Sequence, residues 1–278
     1  MKLVSSAKLR KAQNAIEAMR PYEEQLLGIL ASLQGGVAGV SSLNLGKNKD
    51  ERKTIVAIAS NSSLCGGFNA NAIAKVRAIR RPGDTVYAIG RKMADAMRKE
   101  GFASPEDFSA LSEHPSYGPA AALVEKLVAD VEAGRTGAVV LVYNHFVSTA
   151  RQEPVVEVLM QRSSEGEESL SSTSLRDPVR ANVPERDSSP SSSRIQPLIE
   201  PSRAVLLDAL MPKTRKLKLY AALLDSAAAE HAARTVAMQT ATDNAENLLS
   251  ELTLQYNKGR QQKITSEILD LAGGQAEN

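Results

Sequence analysis

The sequence is poor in the residues that build thick cores and covalent cross-links. Its 278 residues contain no tryptophan, four phenylalanines, six tyrosines and one cysteine. Because each aromatic ring buries a large area, this shortage favours thin helical packing over one thick core. The single cysteine, Cys65, excludes a disulfide within the chain, and a reducing compartment is its simplest setting.

Long apolar runs and a large excess of charge of one sign are also missing. No stretch approaches the ~18 apolar residues that a membrane span needs, and the start lacks the apolar core of a signal peptide. The net charge is +2, with both signs interleaved, so no basic stripe predicts nucleic-acid binding. We therefore expect a soluble, cytoplasmic protein that reaches a membrane only through partners.

Residues with the spacing of a reaction centre are absent as well. The three histidines and Cys65 have no metal-ligand spacing, and no acidic pair stands out. The loop at 61–69 precedes a helix, where phosphates bind, but it has neither G-x-G-x-x-G nor G-K-[ST]. We expect a tight turn there, with unusual dihedrals at Gly66 and Gly67. The sequence thus predicts no catalytic residue, metal or cofactor, and favours a mechanical or scaffold role.

Both ends of the chain show helical 3,4 spacing of apolar residues, which is typical of a coiled-coil seam. Residues 1–36 form the first such segment, interrupted by Pro21, which should bend the helix. Residues 203–274 form the second, without proline from 213 to 271. The predicted seam positions are Leu9, Ala12, Ile16, Met19, Leu26, Leu30 and Leu33 in the first segment, and Leu217, Tyr220, Leu224, Ala227, His231, Arg234, Met238, Ala241, Ala245, Leu248 and Leu252 in the second.

The second helix is too long for a globule of this chain. About 60 residues at ~1.5 Å each make ~90 Å, whereas a compact domain of this length is near ~50 Å across. The helix must protrude, and its seam needs a partner. We expect the two terminal helices to form an antiparallel coiled coil, with small seam alanines allowing close approach. The first helix is too short to cover the whole second one.

The middle of the chain, residues 53–200, alternates strands with helices and predicts an α/β fold with a parallel sheet. A strand at 151–161 should return antiparallel to the strand before it. Residues 163–194 are rich in Ser, Pro and charge, and predict a disordered loop. Residues 195–199 have the pattern of one more strand.

Several motifs resemble the gamma subunit family of bacterial F-type ATP synthases. The resemblance covers nearly the whole chain except residues 163–194. The matching segments are the start Met1-Lys2-Leu3-Val4-Ser5-Ser6-Ala7-Lys8-Leu9-Arg10-Lys11-Ala12-Gln13, the loop Leu64-Cys65-Gly66-Gly67-Phe68-Asn69, the pair Val142-Tyr143-Asn144 and Gln152-Glu153-Pro154, and the tail His231-Ala232-Ala233-Arg234, Met238, Ala241-Thr242-Asp243-Asn244-Ala245, Tyr256-Asn257-Lys258, Arg260-Gln261, Ile264-Thr265 and Glu267.

The resemblance implies a Rossmann-like domain at the base of the coiled coil and a rotor without catalysis of its own. The implied partners are the alpha and beta subunits around the coiled coil, and the epsilon subunit and c-ring at the base. The implied location is the cytoplasmic face of the inner membrane, with membrane contact only through the c-ring. The implied contact residues for alpha and beta are Met1, Arg234, Gln261, Thr265 and Glu267, with a weaker assignment to Lys8, Arg10 and Lys11.

The chain departs from the family at two places. Family members usually begin about two dozen residues before Met1 with a further helical stretch, so either the start is assigned late or this copy is truncated. Asn61-Ser62-Ser63 stands where an acidic and a basic residue are usual. Two alternatives stay open: a Rossmann-like nucleotide-binding protein or transferase with a coiled-coil dimerisation arm, and a passive coiled-coil adaptor.

Overall fold

A computed structural model describes residues 2–33, 52–162 and 202–275 of the chain. The predicted loop at 163–194 and the predicted strand at 195–199 lie outside the described residues. The described elements, in chain order, are α1 Lys2–Leu33, β1 Lys53–Ile58, α2 Phe68–Ile79, β2 Thr85–Ile89, α3 Arg91–Lys99, α4 Ser109–Glu113, α5 Tyr117–Glu132, β3 Ala138–Phe146, β4 Gln152–Gln161 and α6 Arg203–Gln275.

The described strands form one sheet in the order β2-β1-β3-β4. β1 pairs parallel with both β2 and β3, and β4 returns antiparallel to β3. Every residue of β1 is buried, because this strand lies inside the sheet with both faces covered. The predictions of a parallel sheet and of an antiparallel return are confirmed.

Helices cover both faces of the sheet, as the strand–helix alternation predicts. On one face, α2 and α3 pack through Ala72, Val76 and Met97. On the other face, α5 and α6 pack through Leu127 and Leu223. Helix α6 therefore belongs to the core of the α/β domain over part of its length, before it leaves the sheet.

Helices α1 and α6 pair antiparallel, as predicted. Lys2 Nζ donates a hydrogen bond to Gln239 Oε1 at one end of the pair, and Leu9 packs against Ala232 further along. Most of the predicted α1 seam is confirmed by burial. The buried positions are Leu9, Leu26, Leu30 and Leu33.

Part of the pair is built from buried alanines of α6. Ala228 and Ala232, both fully buried, receive Leu9 of α1. Ala229 and Ala233 face the loop after β1 and pack against Cys65. Small side chains on two sides of one helix let it approach both neighbours closely. The sequence predicts this role for Ala227, Ala241 and Ala245, but only Ala227 is buried.

Helix α6 has 73 residues, which corresponds to a length of about 110 Å. It begins at Arg203 and continues through Pro212. The observed helix is therefore longer than predicted, because the predicted length counted only the proline-free stretch that follows Pro212. Residues 241–269, called the bare segment below, are exposed apart from half-buried Asn257. The described part of α1 begins beside residue 239, so it does not reach them. The seam prediction is therefore wrong for Ala241, Ala245, Leu248 and Leu252 as contacts with α1.

Candidate partner-binding surface

Charged and polar side chains gather where α1, α6 and the loop after β1 meet. We call Lys8, Ser62, Glu230, His231 and Arg234 the collar. Lys8 lies near the start of α1, and Ser62 lies in the loop between β1 and α2. The other three residues lie within about one turn of α6, beside the buried alanines. The collar is the level at which the helix pair leaves the α/β domain.

Arg234 connects α6 to the loop after β1. Its Nη2 donates a hydrogen bond of 2.8 Å to Ser62 Oγ and lies 2.7 Å from Glu230 Oε1 in an i,i+4 ion pair. The side chains of Arg234 and Glu230 are 14% and 11% exposed, so this pair is largely shielded from water. Contacts within the chain therefore fix the direction of the guanidinium.

Burial sets the charge states in the collar. It raises the pKa of Glu230 above its usual value, while the nearby Arg234 and Lys8 act in the opposite direction and Glu113 adds to the rise. Burial also lowers the pKa of His231 to about 4, helped by Arg234 and Lys8. His231 is thus neutral at physiological pH, and its buried Nδ1 has no hydrogen-bond partner in the described part of the chain.

Asn69, at the start of α2, holds the loop after β1 together by hydrogen bonds to Ser60 and Cys65. Asn69 Oδ1 accepts from the Ser60 backbone N–H at 3.0 Å, and its Nδ2 donates to Cys65 Sγ at 3.1 Å. Cys65 is buried against α6. Gly66 has the predicted unusual dihedral, at φ +57°. Gly67 does not, because its φ of −78° starts helix α2 in ordinary helical geometry.

Two collar residues were not identified from the sequence. Glu230 lies four residues before Arg234, a spacing that places the two on one helix face and could have indicated the pair. Ser62 carries no such signal, because only the folded sheet brings its loop to α6. The structure also moves Arg234 away from the predicted α1 seam: its hydrogen-bonding partner lies in the loop after β1.

The remaining predicted contact residues do not gather at the collar. Gln261, Thr265 and Glu267 are exposed on the bare segment. Met1 lies outside the described residues. Its neighbour Lys2 bonds Gln239, and Thr265 lies 26 residues further along α6, at about 39 Å. The structure therefore does not bring the start of α1 to the far end of α6.

The weaker candidates lie on α1. Lys8 is close enough to influence both Glu230 and His231. Arg10 and Lys11 are exposed on the same helix. Of the three, only Lys8 belongs to the collar.

The bare segment carries many large apolar side chains in contact with solvent. Leu249, Leu254 and Tyr256 are 66%, 69% and 70% exposed. So many large apolar side chains exposed on one helix are unusual for a soluble protein and indicate an interaction site. The other large apolar residues exposed there are Leu248, Leu252, Ile264, Ile268 and Leu269.

Neither a metal centre nor a membrane span is found among the described residues. Within 2–33, 52–162 and 202–275, no three His, Cys, Asp or Glu side chains are grouped to hold a metal ion. None of the helices described there is both long and apolar enough to cross a bilayer.

The fold and the bare segment define a class of protein: a long helical shaft on an α/β base, with one end of the shaft exposed among the described residues. Residues 1–276 match the family model described as ATP synthase. The ATP synthase gamma chains of Phocaeicola vulgatus and Bacteroides fragilis are 41% and 39% identical to the chain, over 99% of it and 91% of each relative. The chain belongs to the ATP synthase gamma chain family, and is thus a subunit of that complex.

Solved structures share the fold at low sequence identity. A chain of the Euglena gracilis mitochondrial ATP synthase (OSCP/F1/c-ring) has a TM-score of 0.59 at 19% identity, with coverage of 98% of this chain and 94% of that one. A chain of the Tetrahymena thermophila mitochondrial ATP synthase central stalk/c-ring has a TM-score of 0.57 at 18% identity, with coverage of 87% and 97%. The predicted combination of terminal helices and α/β domain is confirmed.

Proposed function

We propose that the chain is the central-stalk rotor of an F-type ATP synthase and catalyses no reaction itself. The bare segment is the observation that carries this proposal. It extends α6 beyond its partner helix and exposes apolar side chains along the extension. An isolated helix of this kind needs surrounding protein to cover it. A ring of alpha and beta subunits supplies such a cavity.

The two parts of the chain have different tasks in this proposal. The helices at 1–36 and 203–274 form the shaft, and the α/β domain at 53–200 forms the base. The shaft contacts alpha and beta, while the base contacts epsilon and the c-ring. Support comes from the gamma-chain relatives and from the central stalk/c-ring and F1/c-ring assemblies that share the fold. The rotor then lies at the cytoplasmic face of the inner membrane, held there by the c-ring.

The collar adds a side-chain link between base and shaft at the level where α6 leaves the sheet. Rotation of the c-ring turns the base, and the base must turn α6 without slipping. Arg234 links α6 to the loop after β1 by a charge-assisted hydrogen bond. Buried alanines fix α6 against α1 and the loop at the same level. The turning, asymmetric shaft then forces the beta catalytic sites through their conformations in sequence.

Five residues are proposed to contact alpha and beta: Met1, Arg234, Gln261, Thr265 and Glu267. The last three are accessible along the bare segment. Arg234 keeps part of its guanidinium at the surface while Glu230 and Ser62 direct it. Lys8, Arg10 and Lys11 are proposed as weaker contacts on the neighbouring helix.

Co-purification tests this function. The tagged full chain, co-expressed with alpha and beta, is expected to recover both, and the free chain is expected to hydrolyse no ATP. Recovery of the chain alone would contradict the rotor proposal. Micromolar nucleotide binding to the free chain in calorimetry would favour the nucleotide-binding alternative.

A matched pair of triple variants tests the contact residues separately. Gln261→Ala, Thr265→Ala and Glu267→Ala together should lower ATP-driven proton pumping in the assembled complex. The control variant replaces Asp95, Arg98 and Lys99 with alanine. These three residues lie on α3, in the base. Alanine preserves helix propensity in both sets. Equal pumping by the two variants would refute the contact assignment while leaving co-purification to decide the function.

A further inference from the structure

The bare segment carries a stripe of residues that has the spacing of a coiled-coil seam but is not covered by the described residues. Its first four members are Ala241, Ala245, Leu248 and Leu252, at alternating intervals of four and three residues. Both leucines are more than half exposed. A stripe with this spacing is covered when a second helix packs along it.

The stripe continues without charge toward the end of the bare segment. At the same intervals it passes through Gln255, Gly259, Gln262 and Ser266, all of which are exposed. Gly259 has open space around it although it lies inside a helix, where glycine is less favourable than alanine. A glycine in this position gives a large side chain of a neighbouring helix room to approach.

The charged side chains of the bare segment lie outside the stripe, and their signs are separated along the helix. Its first part contains three acids and no base, namely Asp243, Glu246 and Glu251. Its second part contains three bases and one acid, namely Lys258, Arg260, Lys263 and Glu267. The only ion pair that the described residues form here joins the last two, at 4.0 Å. The acidic part therefore matches the basic part of a second, antiparallel copy.

We propose that the bare segment of the free chain pairs antiparallel with the bare segment of a second copy, centred between Thr253 and Leu254. A two-fold axis at this point makes every contact occur twice. Leu248 of each copy then packs onto Gly259 of the other, and the stripes overlap from residue 241 to residue 266.

The residues beside the stripe favour this register. Leu249 and Tyr256 lie on one side of it, and Glu251 and Lys258 lie on the other, at the positions that flank a coiled-coil seam. In the antiparallel pair, Leu249 of each copy meets Tyr256 of the other, and Glu251 meets Lys258. Leu249 and Tyr256 are 66% and 70% exposed in the single chain. The pairing therefore covers apolar surface on one side and forms two ion pairs on the other.

A parallel pair is opposed by charge and by the position of the base. It brings Lys258 of each copy near Lys263 of the other, across flanking positions of the same sign. The base also lies on this side of α6, because Arg234, at stripe spacing before Ala241, donates a hydrogen bond to Ser62. Two parallel copies would bring their bases together at one level. In the antiparallel pair the bases lie at opposite ends, and only the last few residues of each α6 reach the level of the other base.

This pairing goes beyond the proposed function and does not depend on it. It covers, in the free chain, the surface that alpha and beta cover in the proposed complex, so the dimer and the complex exclude each other. Half of the stripe is polar, so the dimer is expected to be weak and to dissociate as the chain is diluted.

Sedimentation equilibrium of the full wild-type chain, from about 2 to about 200 μM, measures the pairing. The mass is expected to rise from that of one chain to that of two. Glu251→Lys and Lys258→Glu each turn both ion pairs into like-charge contacts, and each should weaken dimerisation by about tenfold. An equimolar mixture of the two variants should dimerise nearly as well as the wild type, because opposite charges then meet at both flanking sites.

Glu246→Lys and Arg260→Glu are the matched controls, since they make the same changes of charge away from the seam. At physiological salt they should dimerise within about twofold of the wild type. A wild type that stays monomeric, or that forms aggregates larger than two chains, overturns the proposal without reference to any variant and leaves the rotor function to co-purification. Flank variants that dimerise as tightly as the controls also overturn it. Tighter dimerisation of Lys258→Glu would reveal a parallel pair and would refute the antiparallel one.

Discussion

Gly90 shows how tightly single residues are constrained where β2 turns into α3. Its φ is +102°, a region that side chains rarely adopt. A Cβ atom there would lie 2.1 Å from the Ala59 carbonyl oxygen of the neighbouring loop. Both the backbone angle and the neighbouring chain therefore require glycine. Gly83 has a similar φ of +96° but open space around it.

Replacement of these two glycines by alanine should separate the two constraints. Gly83→Ala should cost about 1–2 kcal/mol of unfolding free energy, from the backbone angle alone. Gly90→Ala should cost at least about 3 kcal/mol, because a rigid carbonyl must also move. Urea unfolding of both variants measures the difference. Equal losses would show that the loop after β1 yields easily to the added methyl group.

Arg234 should stabilise the isolated chain, apart from any contact with a partner. Arg234→Met leaves the Glu230 carboxylate, in a residue only 8% exposed, without its ion pair. We expect a loss of about 3 kcal/mol in urea unfolding near neutral pH. The loss should shrink in mild acid, since the already raised pKa of Glu230 rises further without Arg234 and protonation then relieves the unpaired charge.

Glu230→Gln in the same chain is the control for this loss. The double variant should recover most of the stability, because a neutral amide needs no counter-charge. If Arg234→Met alone is as stable as the wild type, the ion pair is solvated and contributes no stability. The role of Arg234 would then be limited to contacts with partner subunits. If the double variant remains as unstable as the single one, Ser62 rather than Glu230 is the partner that matters.

Among the secondary-structure elements, α6 differs most along its length, because one half is buried and the other half is exposed. Residues such as Leu219 and Leu223 are buried in the α/β core, whereas Leu248 and Leu252 are 58% and 54% exposed. The sequence pattern does not change at the boundary, because apolar residues keep the same spacing on both sides of it. Their burial does change, since one half packs against other elements of the described residues and the other half is exposed there.

Substitutions in the two halves should therefore behave differently. Leu223→Ala should cost about 2–5 kcal/mol of unfolding free energy in the free chain. Leu252→Asp should change that energy by no more than about 0.5 kcal/mol, yet it should weaken recovery of alpha and beta, because a carboxylate is expensive to bury in a partner. A large destabilisation of the free chain by Leu252→Asp would place Leu252 in an intramolecular contact.

Features that depend on local residue spacing could be predicted from the sequence, and features that depend on distant contacts could not. Local periodicity is enough to predict β1, α2 and the antiparallel return of β4. A face that is buried requires apolar side chains at a regular spacing, and that spacing is visible in the sequence. It is not enough to predict where the α1–α6 pairing ends, because apolar spacing continues into the bare segment. The glycine loop shows the same limit: Gly66 adopts φ +57°, while Leu64 at φ 67° takes the second left-handed position that Gly67 was predicted to have.

The long-range polar contacts exceed what the sequence can predict, for a related reason. Ser62 and Arg234 are separated by 172 positions in the chain, and His145 and Asp225 by 80. Contacts over such distances depend on sheet order and helix register rather than on local pattern. Only the i,i+4 pair of Glu230 and Arg234 leaves a trace in the sequence itself.

At the scale of the whole molecule, the chain combines a base that is packed on both faces with a shaft that is covered over only part of its length. α6 runs through both as one continuous helix of 73 residues. A rotation applied to the base is therefore carried to the bare segment by the same element. We expect this continuity to make the chain a rotor rather than a static adaptor.

A single-molecule rotation experiment distinguishes a rotor from a static adaptor. The chain is assembled with alpha and beta subunits fixed to a surface, and a bead is attached to the α/β base. We expect unidirectional rotation of the bead that begins on addition of ATP and stops when ATP is removed. Assembled complexes that hydrolyse ATP while the bead stays still, or moves without direction, would contradict it.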